Sequence, residues 1–212
     1  MTGPSARVVT AGAPLSRAKA AMILLHGRGA TAEGMIGLGE TLAQPDVALI
    51  APQAPGYTWY PNRFIAPIAA NEPSLSHALA TVGGLVEELG TQGFSPERII
   101  LLGFSQGGCL ALEYAVRNAR RYGAVVGLSA GLIGPEGTRW GDAGSLAGTR
   151  VVLGCSEADP HIPVERVRES SRVLARLGGD VVERIYPGSA HTINDDEIAQ
   201  VRAALVPLLH PD

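Results

Sequence analysis

Cysteine, charge and long apolar runs are all scarce in this chain of 212 residues. Its two cysteines, Cys109 and Cys155, cannot build a disulfide framework, and neither sits in a C-x-x-C or Cys/His cluster of the kind that holds structural zinc. No segment approaches the roughly 20 apolar residues that a membrane span needs. The stretch Met1 to Ala20 has no apolar core for a signal peptide, so the expected location is cytoplasmic. Seventeen Lys+Arg against 20 Asp+Glu leave a net charge of −3, without the basic footprint of a nucleic-acid binder or a polybasic run for an anionic membrane. The 27 glycines show no period, which excludes a collagen-like chain. Neither a phosphate-binding G-x-x-x-x-G-K-[ST] nor a dinucleotide-binding G-x-G-x-x-G is present.

What is present is apolar. Hydrophobic residues make up 46% and charged residues 17%, which excludes disorder and a coiled coil. At this length a single domain over residues 1–212 buries roughly 70% of its unfolded surface. Short apolar runs read as strands at Arg7–Ala11, Ala21–His26, Val47–Pro52, Arg98–Phe104, Ala124–Ser129, Arg150–Cys155 and Val181–Tyr186. Met22–Leu25 and Ile99–Leu102 are apolar without a break, as in strands of a parallel sheet covered on both faces.

Helices are expected between the strands. Leu75, Leu79, Val82, Val86 and Leu89 form one stripe at spacings of three and four, and Val164, Val167, Leu174 and Leu177 another. Ile198, Val201, Leu205 and Leu208 form a third, entered by Asn194 with Glu197 three residues on, a capping-box pattern. Weaker helices follow Ser105 and cover Thr31–Ala43. Such alternation predicts an α/β fold, a three-layer sandwich around a mostly parallel sheet, with no length left for a cap domain. Two long stretches, Gln53–Glu72 with its prolines and aromatics and the glycine-rich Gly131–Thr149, resist assignment and read as functional loops that shape a pocket.

Gly103-Phe104-Ser105-Gln106-Gly107 carries the chemistry. A bare G-x-S-x-G arises by chance roughly 0.2 times in a chain of this composition, and the bland reading is an ordinary glycine-rich turn. Here a strand ends at the motif and a helix opens after it, the setting of a nucleophile elbow. Small neighbours two positions away let strand and helix approach, and the hydroxyl stands where free helix N–H groups favour negative charge. His191 is the expected base, on the loop after the last strand, ahead of His26, His77, His161 and His210. Asp159, just after the strand Arg150–Cys155, is the expected orienting acid, with Glu157 as competitor. The chain order Ser105, Asp159, His191 is that of α/β-hydrolases. The oxyanion is assigned to the backbone N–H groups of Gln106 and of Arg28 in Leu24–Ala30, with His26 as a structural hydrogen-bonding residue. The Arg28 side chain is expected to make a surface salt bridge, with a preference for an anionic group on the substrate as the alternative. Trp59, Tyr60 and Phe64 read as a stacking surface, an acyl-pocket wall or plain core, and the wall is preferred. Cys109, one turn past Ser105, reads as packed rather than reactive.

These segments resemble the phospholipase/carboxylesterase family of α/β-hydrolases, which includes acyl-protein thioesterases and small bacterial carboxylesterases. Leu25-His26-Gly27 matches the family's oxyanion loop, Gly103–Gly107 the nucleophile, Asp159-Pro160-His161-Ile162-Pro163 the acid, and Gly188-Ser189-Ala190-His191 the base. The likeness runs from about Ala20 onward. Where the thioesterases usually read His-Gly-Leu-Gly-Asp, this chain has Arg28 and Ala30, which turns the expectation from protein depalmitoylation to small esters. The resemblance implies a serine esterase acting on short-chain or small carboxylic esters through an acyl-enzyme, without metal or organic cofactor. Thioesterase and lysophospholipase activity are the alternatives on the same triad. A dienelactone-hydrolase-like enzyme, which commonly uses cysteine, and a non-catalytic binding protein stand further off. The partner expected is a small-molecule ester, and the oligomeric state stays open between monomer and homodimer.

Overall fold

The computed structural model describes residues 7–42, 44–141 and 144–209, so Ala43 and His210 lie outside it. Strands are β1 (Val8–Gly12), β2 (Ala20–Leu25), β3 (Val47–Pro52), β4 (Ile99–Phe104), β5 (Ala124–Leu128), β6 (Arg150–Ser156) and β7 (Asp180–Tyr186). Helices are α1 (Ala32–Leu42), α2 (Ile68–Asn71), α3 (Ser74–Thr91), α4 (Gln106–Arg117), α5 (Val164–Arg176) and α6 (Asp195–Leu209). They build one sheet in the order β1-β3-β2-β4-β5-β6-β7, in which only β1 runs antiparallel to its neighbour.

The apolar runs mark the strands that are covered on both faces. Every residue of β2 and of β3 is buried. Met22, Leu24 and Leu49 pack with α1 and α6 on one side, while Ile23, Leu25 and Leu101 pack with α3, α4 and α5 on the other. Edge strand β1 alternates exposed and half-buried residues instead. The stripe of α3 differs in one place: Ala78 is buried and Leu79 only partly so. Leu177 lies just past α5, as its C-cap.

Parallel register sets the site. Leu25 pairs with Gly103, Phe104 with Leu128, and Ser156 with Tyr186, so β2, β4, β5, β6 and β7 end along one edge. The loops after those carboxyl ends form the crevice that open α/β sheets use for ligands.

The capping box of α6 closes as its sequence predicts. The Glu197 N–H donates to Asn194 Oδ1, and the Asn194 N–H donates to Glu197 Oε2, both at 2.9 Å. Glu197 itself is buried against Gly154, and its Oε1 has no partner among the described residues. Burial pushes its carboxyl up from 4.5 to about 7, against the pull of the Asn194 N–H. A raised carboxyl favours the fold while protonated, so this contribution is present in acid and is lost as pH rises through about 7. Glu197→Gln keeps the capping box and removes the charge. It should raise Tm at pH 8 by roughly 2–5 °C and leave Tm at pH 5 unchanged, as read by thermal denaturation.

Candidate active site

Strand β4 runs into α4 through Ser105, whose backbone sits at φ 53 and ψ −120. That strained conformation aims the hydroxyl off the turn. It survives because the surroundings admit no bulk. A Cβ on Gly103 would lie 2.2 Å from the Gly107 carbonyl carbon, and one on Gly107 would lie 2.1 Å from the Leu25 oxygen. The two motif glycines therefore let the strand, the helix and the end of β2 close on one another.

Ser105 Oγ lies 2.9 Å from His191 Nε2, and His191 Nδ1 lies 2.7 Å from Asp159 Oδ2. The Asp159 side chain is fully buried and takes the N–H groups of His161 (2.8 Å) and Ile162 (3.1 Å) on Oδ1. Burial raises its pKa, but the hydrogen bond from His191, those N–H groups and the electrostatic pull of the His191 ring together outweigh it, and the carboxyl ends below its ordinary value. An ionised carboxylate only accepts, so Nδ1 of His191 carries the proton. Its Nε2 lone pair then faces the serine hydroxyl. The two loops are stitched together: Ser156 Oγ donates to Ala190 O (2.6 Å) and the Ala158 N–H to Gly188 O (2.9 Å). Glu157 is exposed, and of the two candidate acids it is Asp159 that hydrogen-bonds the histidine.

Gly27 brings the loop after β2 against the serine: a Cβ there would sit 3.4 Å from Ser105 Cβ. The N–H groups of Arg28 and of Gln106 donate to no acceptor among the described residues, and both residues line the cavity at Ser105. Gln106 opens α4, where the first N–H groups have no partner within the helix. His26 is fully buried and structural. Its Nδ1 donates to Gly27 O at 2.7 Å while Nε2 accepts the Ala54 N–H at 3.0 Å, and burial lowers its pKa.

The aromatic stretch lies over this loop and differs from expectation in two ways. Tyr60 and Phe64 do line the cavity, but Trp59 does not. Its indole N–H donates to His26 O at 2.9 Å and its ring sits 5.1 Å from the His26 ring, so Trp59 braces the loop after β2 from behind. The Arg28 side chain makes no salt bridge among the described residues. Its Nη1 donates to Pro61 O (2.9 Å) and its Nη2 to Tyr60 O (2.9 Å) and Asn62 O (2.7 Å). Carbonyls facing inward from a stretch without a strand partner take the place of the expected carboxylate.

The cavity has a volume of about 530 Å³. Tyr60, Phe64, Cys109 and Ile162 supply apolar wall, with Cys109 fully buried and its thiol pushed up to about 12 by burial, so it packs rather than reacts. Arg28, Asn62, Arg63 and His161 line it as well. No described residue of the Gly131–Thr149 stretch lines it. Two buried charges hold that stretch instead. Glu113 accepts the Ile133 N–H (3.0 Å) and the Trp140 indole N–H (3.1 Å). Arg166 donates to Leu132 O (2.9 Å) and Gly134 O (2.6 Å).

Sequence reasoning missed two polar side chains that shape the site and misassigned a third. The buried Gln106 amide accepts the Trp59 N–H (2.9 Å) and donates to Tyr60 O (2.8 Å), tying the aromatic stretch to α4. Asn71, on the single turn α2, accepts the Asn62 N–H (2.8 Å) and donates to Arg63 O (3.1 Å). Arg28 is the third. A proline-rich stretch needs partners for its own amides, and that need was the available signal.

The sheet order, the helices on both faces and the serine on its tight turn define an α/β-hydrolase. The Phospholipase/Carboxylesterase family model matches residues 6–206. A phospholipase/carboxylesterase from Dyadobacter fermentans superposes with a TM-score of 0.92 at 43% identity, covering 97% of this chain and 99% of its own. Acyl-protein thioesterase 1 of Gibberella zeae is 34% identical over 131 residues, 60% of this chain and 55% of that protein. Acyl-protein thioesterase 1 of Saccharomyces cerevisiae is 28% identical over 213 residues, 88% of this chain and 91% of that protein. The chain belongs to the phospholipase/carboxylesterase family and is a carboxylic ester hydrolase.

Proposed function

We propose that the protein hydrolyses short carboxylic esters through an acyl-enzyme on Ser105, with His191 as base and Asp159 as orienting acid. The observation that carries this is the unbroken hydrogen-bonded series Ser105 Oγ, His191 Nε2, His191 Nδ1 and Asp159 Oδ2, at 2.9 and 2.7 Å. Ser105 Oγ attacks the ester carbon and His191 Nε2 takes its proton. The Arg28 and Gln106 N–H groups receive the negative oxygen of the tetrahedral intermediate. His191 returns the proton to the departing alcohol, and the acyl group stays on Ser105. Water then loses a proton to His191 as its oxygen attacks the acyl carbon, and the acid leaves as Ser105 regains its hydrogen. Asp159 keeps the imidazole in one tautomer and stabilises its charged form. The two free cysteines suit a reducing compartment such as the cytoplasm.

Chain length follows from the walls. Each buried methylene gains about 0.8 kcal/mol only while apolar surface remains to meet it. Tyr60, Phe64, Cys109 and Ile162 supply that surface, and it is limited because Arg28, Asn62, Arg63 and His161 share the lining. Across p-nitrophenyl esters of rising chain length, kcat/KM should peak at short acyl groups and fall for long ones. Thioester hydrolysis is the second reading, favoured by the names of the fungal relatives. Palmitoyl thioesters emerging as the best substrates in the same screen would overturn the short-ester reading.

A further inference from the structure

The cavity around Ser105 is lined by two guanidinium groups, Arg28 and Arg63, and by no carboxylate among the described residues. Neither arginine takes part in an ion pair among the described residues. Asp159, the nearby acid, lies behind His191 with its side chain fully buried. The Arg28 guanidinium spends three donors on neutral carbonyls, which fixes its position and leaves its charge uncompensated. Arg63 is exposed, and its one recorded side-chain bond is a long one, 3.4 Å to His161 O. Most of its five donors are therefore open, in the planar fork that matches a carboxylate.

Position adds direction. The His161 ring packs edge-on against His191, with centroids 4.8 Å apart. His191 hands its proton to the departing alcohol, so the alcohol part of an ester lies on the side where His161 and Arg63 meet. From this we infer that the preferred substrates carry a carboxylate on their alcohol part, as in short acyl esters of hydroxy acids, and that Arg63 is the residue that selects them. The inference rests on the Ser105 reading above. Arg28 adds a fixed positive field, and Arg63 supplies the paired hydrogen bonds.

The test compares two matched pairs of esters. One pair is acetoxyacetate and its neutral amide, 2-acetoxyacetamide, with the charge on the alcohol part. The other is monomethyl succinate and methyl succinamate, with the charge on the acyl part. The readout is the kcat/KM ratio of anionic to neutral ester, and its change on substitution, in which intrinsic ester reactivity cancels. Arg63→Gln should lower the first ratio about tenfold and the second by less than about twofold, and Arg63→Lys should keep part of the preference. Raising ionic strength from low salt to 0.5 M should shrink the wild-type ratio toward that of Arg63→Gln, to about a third or less of its low-salt value. An unchanged first ratio in Arg63→Gln, or a larger change in the succinate pair, overturns the inference while turnover at Ser105 stands. Failure of all four esters to react with the wild-type protein overturns the Ser105 reading and this inference with it.

Discussion

Ser105→Ala should cut ester turnover by about 10⁵–10⁶ while shifting Tm by less than about 2 °C. The size follows from the proposed mechanism, in which Ser105 Oγ carries the acyl group; what remains is binding and the N–H groups of Arg28 and Gln106, which donate to no acceptor among the described residues. The small effect on stability follows from position. Ser105 Oγ faces the cavity, its one recorded side-chain partner is His191 Nε2, and alanine removes no buried packing. The strained φ of 53 persists in the variant, because Gly103 and Gly107 hold strand and helix together whichever side chain sits between them. Retention of more than a tenth of wild-type kcat would remove Ser105 from the reaction. A steep loss of Tm would instead make it structural.

Asp159→Asn should lower kcat by about 10⁴, the effect of a triad carboxylate replaced in a serine protease. The local hydrogen bonds say why. Oδ1 receives two backbone N–H groups, from His161 and Ile162, so the asparagine oxygen must take that place. Its amide nitrogen then occupies the position of Oδ2, 2.7 Å from His191 Nδ1, and donates where the carboxylate accepted. The imidazole must turn its lone pair to Nδ1, and Nε2 carries a hydrogen that blocks transfer from Ser105. Glu157→Gln should change kcat by less than twofold, since Glu157 is exposed and does not reach the histidine. Steady-state kinetics with p-nitrophenyl acetate separate the two. A large loss in Glu157→Gln with a small one in Asp159→Asn would reverse the assignment.

Local signals carried the fold and the centre of the site. Parallel strands betray themselves by unbroken apolar runs, and the observed strands differ from the expected ones by a residue at their ends, as Ile99–Phe104 does from Arg98–Phe104. The elbow was legible because its requirements are local: small residues two positions either side of the serine, Gly103 and Gly107, between a strand and a helix that adjoin it in the chain. The pocket was less legible because it is made at a distance. Trp59 reaches back to His26, and Gln106 reaches across to Trp59, contacts that no pattern of spacing announces. Hydrophobic character alone placed Trp59, Tyr60 and Phe64 together, while the indole N–H needed an acceptor and found it behind the loop after β2. The Gly131–Thr149 stretch was misjudged for a related reason. Its hold on the fold comes from Glu113 and Arg166, charged residues that no motif singles out and that are buried in the structure.

The most direct test of the central claim is covalent. Incubation with a fluorophosphonate, followed by intact mass and peptide mapping, reads which side chain is nucleophilic, with no assumption about substrate. The account predicts one adduct per chain, on Ser105, formed far more slowly in His191→Ala and absent in Ser105→Ala. An unlabelled wild-type protein, or an adduct on any other residue, would contradict it.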